Sequence, residues 1–289
     1  QRVGDLIWAA ADSHARGFLV GATAGRTTLA GEGLQHQDGH SHVLGYTVPN
    51  LLAYDPAFAH EIAFIVQEGM RRMYQEQENV FYYLTVANEN YVQPGLPEHL
   101  TREQVREGVL KGMYLFRKSA KKRAKLNAQL FGSGTIMNEV LKAADILERD
   151  YGVAADVWSV TSYKELHRDA LQVERYNRLN PDAEPQTAYV ADALKDAKGV
   201  FVAASDYMKI LPDALARHLP RPMVSLGTDG FGRSEARAEL RDFFEVDARH
   251  VVLATLTALA EDGKVDKATL LEAREDLQID PDKANPYVD

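Results

Sequence analysis

Short strand-like runs alternate with amphipathic helical segments along nearly the whole chain, and this alternation constrains the fold more than any other feature. Asn50 to Tyr54 reads as a strand. A helix follows, with apolar residues at Phe58, Ile62, Ile65, Val66, Met70 and Met73, and Val80 to Val86 is a buried-type strand rich in aromatic and β-branched residues. Strand, helix, strand in that order predicts a parallel sheet. Asp55 is the expected N-cap of this helix and Pro56 its first residue. Upstream, Arg2 to His14 reads as helix and Gly17 to Gly21 as strand. Ala22 to Gly45 is a long stretch dense in Gly, Thr and His with no period, longer than an ordinary connection.

Gln93-Pro94-Gly95-Leu96-Pro97 is the best candidate linker, followed by a helix that opens at the capping sequence Thr101-x-x-Gln104. Beyond it the alternation restarts. Strand Leu126 to Phe131, helix Met137 to Asp150, strand Ala155 to Val160 and helix Tyr163 to Leu179 come first. Strand Gly199 to Ala204, helix Tyr207 to His218 and strand Met223 to Leu226 follow, then helices near Glu235 to Phe244, Arg249 to Ala260 and Lys267 to Leu277. This is a second open α/β unit. The expected division is residues 1–92, a linker with edge elements over 93–124, and an α/β domain over 125–289. Helix Met137 to Asp150 is expected to bury Val140, Leu141, Ala144 and Leu147.

Composition removes whole classes of function. With 33 Lys+Arg against 42 Asp+Glu, the 289-residue chain carries a net charge of −9, which argues against a nucleic-acid partner. The absence of Cys removes disulfides, thiolate nucleophiles and iron–sulfur clusters and suits a reducing cytoplasm. The longest nearly apolar stretch, Val251 to Ala260, falls far short of the roughly 20 residues that span a bilayer, so no membrane segment is expected. The chain opens at Gln1 rather than Met, with Leu6 to Ala11 already reading as helix interior. A piece of a longer protein is expected.

The densest chemistry lies in Gly33 to His42. His36, His40 and His42 place three of the nine histidines within seven residues, with Glu32 and Asp38 beside them. Imidazoles at a cleft stabilise charge, move protons or bind metal. A hydrogen-bonded surface loop and a metal site remain open beside a catalytic or substrate-binding loop, which the loop's length favours. Gly132-Ser133-Gly134 fits a tight strand-to-helix turn better than a phosphate site. Gly227 to Ser234 reads as a turn aiming Arg233 or Asp229 at an interface. Asp206 is a plausible N-cap. The basic run Arg117 to Lys125 reads as a solvated hairpin end. No G-x-S-x-G elbow or H-E-x-x-H helix is present.

Together these motifs resemble a known family. The blocks Arg16 to Gly21, Gly25-Arg26-Thr27-Thr28-Leu29, Gly31 to His42 and Tyr54-Asp55-Pro56-Ala57 look like the thiamine-diphosphate-dependent decarboxylase (first) component of the pyruvate dehydrogenase complex, of the homodimeric bacterial type. Asn88 to Tyr91, Ser159 to Ser162, Ser205 to Lys209, Phe244 to Asp247 and Asn285-Pro286 continue the likeness.

The resemblance implies a transketolase-like α/β fold: the end of a pyrimidine-binding domain, then a complete C-terminal α/β domain with a mostly parallel sheet. It implies oxidative decarboxylation of pyruvate and reductive acetylation of lipoyl groups on a dihydrolipoyl acetyltransferase core. Thiamine diphosphate and Mg2+ would be the cofactors. Their main binding motifs lie outside this chain, which has no Gly-Asp-Gly. His36 matches the family position that reaches the substrate-derived part of the cofactor, and Glu32, Asp38, His40 and His42 are expected around it. The resemblance also implies a cytoplasmic homodimer with its active site at the subunit interface, completed by the N-terminal remainder of the protein. This chain alone is expected to be inactive, and its C-terminal domain to serve dimerisation. Two other classes stay in view: a metal enzyme using His36, His40 and His42, and a non-catalytic dimerisation module.

Overall fold

Apolar runs in the first ninety residues pair into a small parallel sheet. The computed structural model describes residues 3–22, 24–29, 31, 36–121 and 123–288. Within the first unit the elements are α1 (Gly4–Asp12), β1 (Phe18–Gly21), α2 (Ser41–Gly45), β2 (Leu51–Tyr54), α3 (Ala59–Met70) and β3 (Phe81–Thr85). The strands lie side by side in the order β1-β3-β2, all parallel, with Val20 opposite Leu84 and Leu52 opposite Tyr82. Parallel strands covered on both faces need apolar side chains at nearly every position. Accordingly β2 is buried throughout, and Phe64, Ile65 and Met73 pack with Leu52, Tyr54, Tyr82 and Leu84 in one core.

Helix α4 (Arg102–Lys111) starts as its capping sequence predicts. Thr101 Oγ1 accepts from the Gln104 N–H at 3.2 Å while Gln104 Oε1 accepts from the Thr101 N–H at 2.8 Å. The next strand, β4 (Met113–Arg117), falls inside the segment expected as linker and edge elements. It joins the larger sheet antiparallel to β6.

That sheet contains β4, β5 (Leu126–Gly132), β6 (Val153–Val160), β7 (Val200–Ala204) and β8 (Met223–Leu226), in the order β4-β6-β5-β7-β8. All its pairs but β4 with β6 are parallel. Helix α5 (Met137–Asp150) covers one face and α6 (Tyr163–Leu179) with α7 (Tyr189–Leu194) the other. Val140, Ala143, Ala144 and Leu147 are fully buried, and burying each large apolar side chain contributes about 1.5–3 kcal/mol. Leu141, expected in that stripe, is only partly buried.

The expected helix over Tyr207 to His218 shortens to α8 (Ile210–Asp213). Pro212 cannot donate an N–H and is tolerated only in a first turn, which the longer helix would have denied it. The chain closes with α9 (Arg237–Phe243), α10 (Ala248–Glu261) and α11 (Lys267–Asp276). Among the described residues no helix is long and apolar enough to cross a membrane.

Strand order reverses direction between β5 and β7, since β5 leads by α5 to β6 on one side while β7 lies on the other. In open α/β sheets the crevice at such a reversal is where ligands bind. Here segments of the first unit occupy it.

Candidate active site

Asp206 follows β7 at the mouth of this crevice and is buried. It does not cap a helix, contrary to the sequence expectation, because both carboxylate oxygens are committed to the first unit. Oδ1 accepts from the Thr27 N–H at 2.8 Å and the Thr27 hydroxyl at 2.7 Å. Oδ2 accepts from the Thr28 hydroxyl at 2.6 Å and the Thr28 N–H at 3.2 Å. Burial raises this carboxyl above its ordinary range, opposed by those bonds and by the field of Arg241. Such close approach requires Gly25, whose φ is +96° and whose hydrogen points where a Cβ would lie 2.2 Å from Asp206 Oδ2.

Arg26 next to it donates to the carbonyl of Thr228 at 2.5 Å and to that of Gly230. The turn Gly227 to Ser234 thus meets Arg26 through its carbonyls, while Asp229 accepts from the Lys209 N–H at 3.2 Å. Burial lowers the Arg26 pKa, and Asp38, Asp206 and Asp229 oppose the shift. Gly39 packs against this guanidinium so tightly that a Cβ there would lie 2.3 Å from its central carbon.

A cavity of about 150 Å3 opens beside this clamp, lined by Asp55, Ala57, Thr85, Tyr91, Gly134 and Asp206 among others. Asp55 does not cap α3 either. Glu61 takes that role, its Oε2 accepting from the N–H groups of Ala57 at 2.6 Å and Phe58 at 3.0 Å, so α3 begins only at Ala59. Asp55 instead reaches into the crevice, where its carbonyl accepts from the Gly134 N–H at 3.1 Å and its Oδ1 from the Thr85 hydroxyl at 2.7 Å. Gly132-Ser133-Gly134 is therefore a turn filled by Asp55. Burial pushes the Asp55 carboxyl up to about 7, opposed by the Thr85 and Ser133 hydroxyls and assisted by the charges of Asp206 and Asp38.

His42 continues the chain of polar groups, its Nε2 lying 3.1 Å from Thr85 Oγ1. Since the Thr85 hydroxyl donates to Asp55, its oxygen accepts from His42, which fixes the proton of this neutral imidazole on Nε2. The ring is buried edge-on against Tyr207 at 4.7 Å and tilted against Tyr83 at 5.2 Å. Burial drives it down to about 4, although Asp38 pulls the other way, so it is uncharged at neutral pH.

The other residues singled out in the sequence divide sharply. His36 and His40 are exposed. Asp38 starts α2: its Oδ1 accepts from the N–H groups of His40 at 3.1 Å and Ser41 at 2.9 Å, and its Oδ2 from the Ser41 hydroxyl. Glu32 lies outside the described residues. Lys164, which sequence reasoning missed, donates to the carbonyls of Gly45, Val48 and Leu51 at 2.6–2.7 Å and so ties down the segment after α2. Nothing local marks it, because its three partners lie more than a hundred residues away.

Among the described residues His36, His40 and His42 do not come together as a metal-ligating group. Among the described residues the one grouping of three ligand-type side chains is Asp242, Asp247 and His250. Arg249 already sits on it, 2.5 Å from Asp242 and 2.7 Å from Asp247.

Residues 1–94 match the family described as pyruvate dehydrogenase E1 component middle domain, and residues 112–247 the transketolase-like C-terminal domain. The pyruvate dehydrogenase E1 component of Pseudomonas aeruginosa is 53% identical over 287 residues, covering 99% of this chain and 32% of the relative. That of Escherichia coli K12 is 50% identical over 288 residues, again 99% of this chain and 32% of the relative. The chain thus spans about a third of the length of these curated relatives. Among solved structures, transketolase from Leishmania mexicana superposes with a TM-score of 0.64 at 17% identity, over 92% of this chain and 34% of that one. A split-gene transketolase described as an inactive β4 tetramer superposes at 0.52 with 20% identity, over 84% of this chain and 66% of that one. The fold is transketolase-like.

Proposed function

The chain belongs to the pyruvate dehydrogenase E1 component family, and we propose that its 25–42 segment forms one wall of a thiamine-diphosphate-dependent active site that decarboxylates pyruvate and acetylates lipoyl groups. The carrying observation is identity near 50% across 99% of the chain to relatives that bear this name. The exposure of His36 and His40 on a segment whose flanks are held fast is consistent with it.

When bound, thiamine diphosphate supplies the carbon nucleophile and the electron sink. The described residues do not offer a cradle for its diphosphate: the Gly132-Ser133-Gly134 turn is taken by Asp55, and no Gly-Asp-Gly is present. We propose, as the resemblance implies, that the main motifs for diphosphate and Mg2+ lie outside this chain. The residues here bind and orient the substrate side. His36 presents an exposed imidazole able to donate to charge that develops on a bound 2-oxo acid. His40 and Glu32, each four residues from it in the sequence, are proposed to act beside it. Asp38 sets the turn, and neutral His42 anchors the segment to Thr85. The assembly implied is a cytoplasmic homodimer that serves an acetyltransferase core, with residues 1–92 and 125–289 as its two domains here.

A chimaera tests this, in which the chain replaces the matching third of the Pseudomonas aeruginosa relative. With thiamine diphosphate and Mg2+ it should decarboxylate pyruvate in a dye-reduction assay, and His36→Ala should lower kcat/KM by about a hundredfold or more. A folded chimaera without turnover would refute the activity. Full turnover in His36→Ala would refute the role of that imidazole.

A further inference from the structure

The segment from Gly25 to His42 contains four glycines at positions 25, 31, 33 and 39, the residue type whose backbone loses most freedom when it is ordered. Among the described residues of this segment, several hydrogen bonds run to partners outside it. The described contacts show where. The Met208 N–H donates to the Gly39 carbonyl at 2.9 Å, the Arg233 N–H to Gln37 Oε1 at 2.8 Å, and Arg237 Nε to the Thr28 carbonyl at 2.7 Å. Thr135 Oγ1 lies 2.5 Å from Thr28 Oγ1. Every one of these partners belongs to the unit built on the larger sheet. At the centre stands Asp206, with four of its bonds on Thr27 and Thr28.

We propose that Asp206 is a positioning residue: its carboxylate holds Thr27 and Thr28 and thereby fixes the segment carrying His36 and His40. The C-terminal unit then helps to shape the proposed site, beyond the dimerisation expected of it. The chemistry favours a carboxylate here. Two backbone N–H groups and two hydroxyls converge on it, four donors that match the acceptor capacity of one ionised carboxyl, and charge-assisted bonds of this kind are about twice as strong as neutral ones. An N-cap would use one oxygen on its own helix, and this side chain uses neither oxygen that way. The clamp itself stands on these contacts. Its bearing on catalysis rests on the active-site reading given above.

Amide hydrogen exchange on the 289-residue chain tests it. In Asp206→Asn the amide nitrogen cannot accept, so donors from one of the two threonines lose their partner. Exchange within 24–42 should quicken at least about tenfold while 126–160 stays within about twofold of wild type. Thr27→Ser, which keeps the hydroxyl, should stay near wild type, whereas Thr27→Val should quicken the same segment. Unchanged exchange over 24–42, or equal acceleration in both sheets, would overturn the proposal. Should Asp206→Asn fail to fold, Thr27→Val and Thr28→Val decide it by the same criterion. In the chimaera, Asp206→Asn should lower kcat/KM for pyruvate as His36→Ala does. A wild-type chimaera without turnover would count against the activity alone, since the exchange result is read without substrate.

Discussion

Replacing Asp55 by Asn removes one ionisable group from the domain junction while preserving its shape and its acceptor for the Thr85 hydroxyl. In the folded chain burial lifts this carboxyl to about 7, whereas an aspartate in an unfolded chain titrates near 3.9. Between these values the folded state keeps a proton that the unfolded state has released. The stabilising effect is therefore complete below about pH 4 and is lost as pH rises through about 7. Across the whole span the loss is about 4 kcal/mol, at about 1.4 kcal/mol per unit. From about pH 5 to about pH 8 it is about 2.5 kcal/mol, because the unfolded carboxyl is already ionised at the lower value.

His42 opposes it. Its folded pKa of about 4 lies below the usual value of about 6.5, so its contribution is present above about 6.5 and is lost as pH falls through about 4, by about 2 kcal/mol between pH 8 and pH 5. The two effects nearly cancel in the wild-type profile. The difference between wild type and Asp55→Asn, measured by urea unfolding at both pH values, is the informative quantity. The variant should gain about 2.5 kcal/mol on wild type on passing from pH 5 to pH 8. A difference that is the same within about 0.5 kcal/mol at both pH values would show that Asp55 ionises as an ordinary carboxyl, and the burial argument would fail.

Three further substitutions probe the same framework. Lys164→Met leaves the carbonyls of Gly45, Val48 and Leu51 without their donor and should cost about 3 kcal/mol in urea unfolding; a cost below about 1 kcal/mol would mean that water replaces the ammonium. Glu61→Ala removes the acceptor of four donors, the N–H groups of Ala57 and Phe58 and the hydroxyls of Tyr114 and Ser159. It should cost about 3 kcal/mol or more, with Glu61→Gln recovering part of it. Gly25→Ala forces a side chain into a left-handed backbone and against Asp206, and should cost at least about 2 kcal/mol by thermal or urea unfolding; near-neutral behaviour would refute the tight approach.

Much of the framework was legible because it depends on neighbours in sequence. Helices Met137–Asp150 and Tyr163–Leu179 follow from their apolar spacing, and the start of α4 follows from Thr101 and Gln104, three residues apart. Strand β4 was not legible: five residues beside a basic run carry too little period, and its place is set by pairing with β6 some forty residues on. The candidate site divides in the same way. The crowding of His36, His40 and His42 is visible in the sequence, but periodicity cannot say that one is buried and neutral while two stay exposed.

Asp55 and Asp206 carry the lesson furthest. Each precedes a helix, and each was expected to cap it, since a capping oxygen needs only local N–H groups. In the folded chain Asp55 turns to Thr85, 30 residues away, and Asp206 to Thr27 and Thr28, about 180 residues away. The alternation of strands and helices is thus written locally, by spacing and capping. Which donors a buried carboxylate serves depends on where desolvation leaves it, and that is decided only when the two units close on one another.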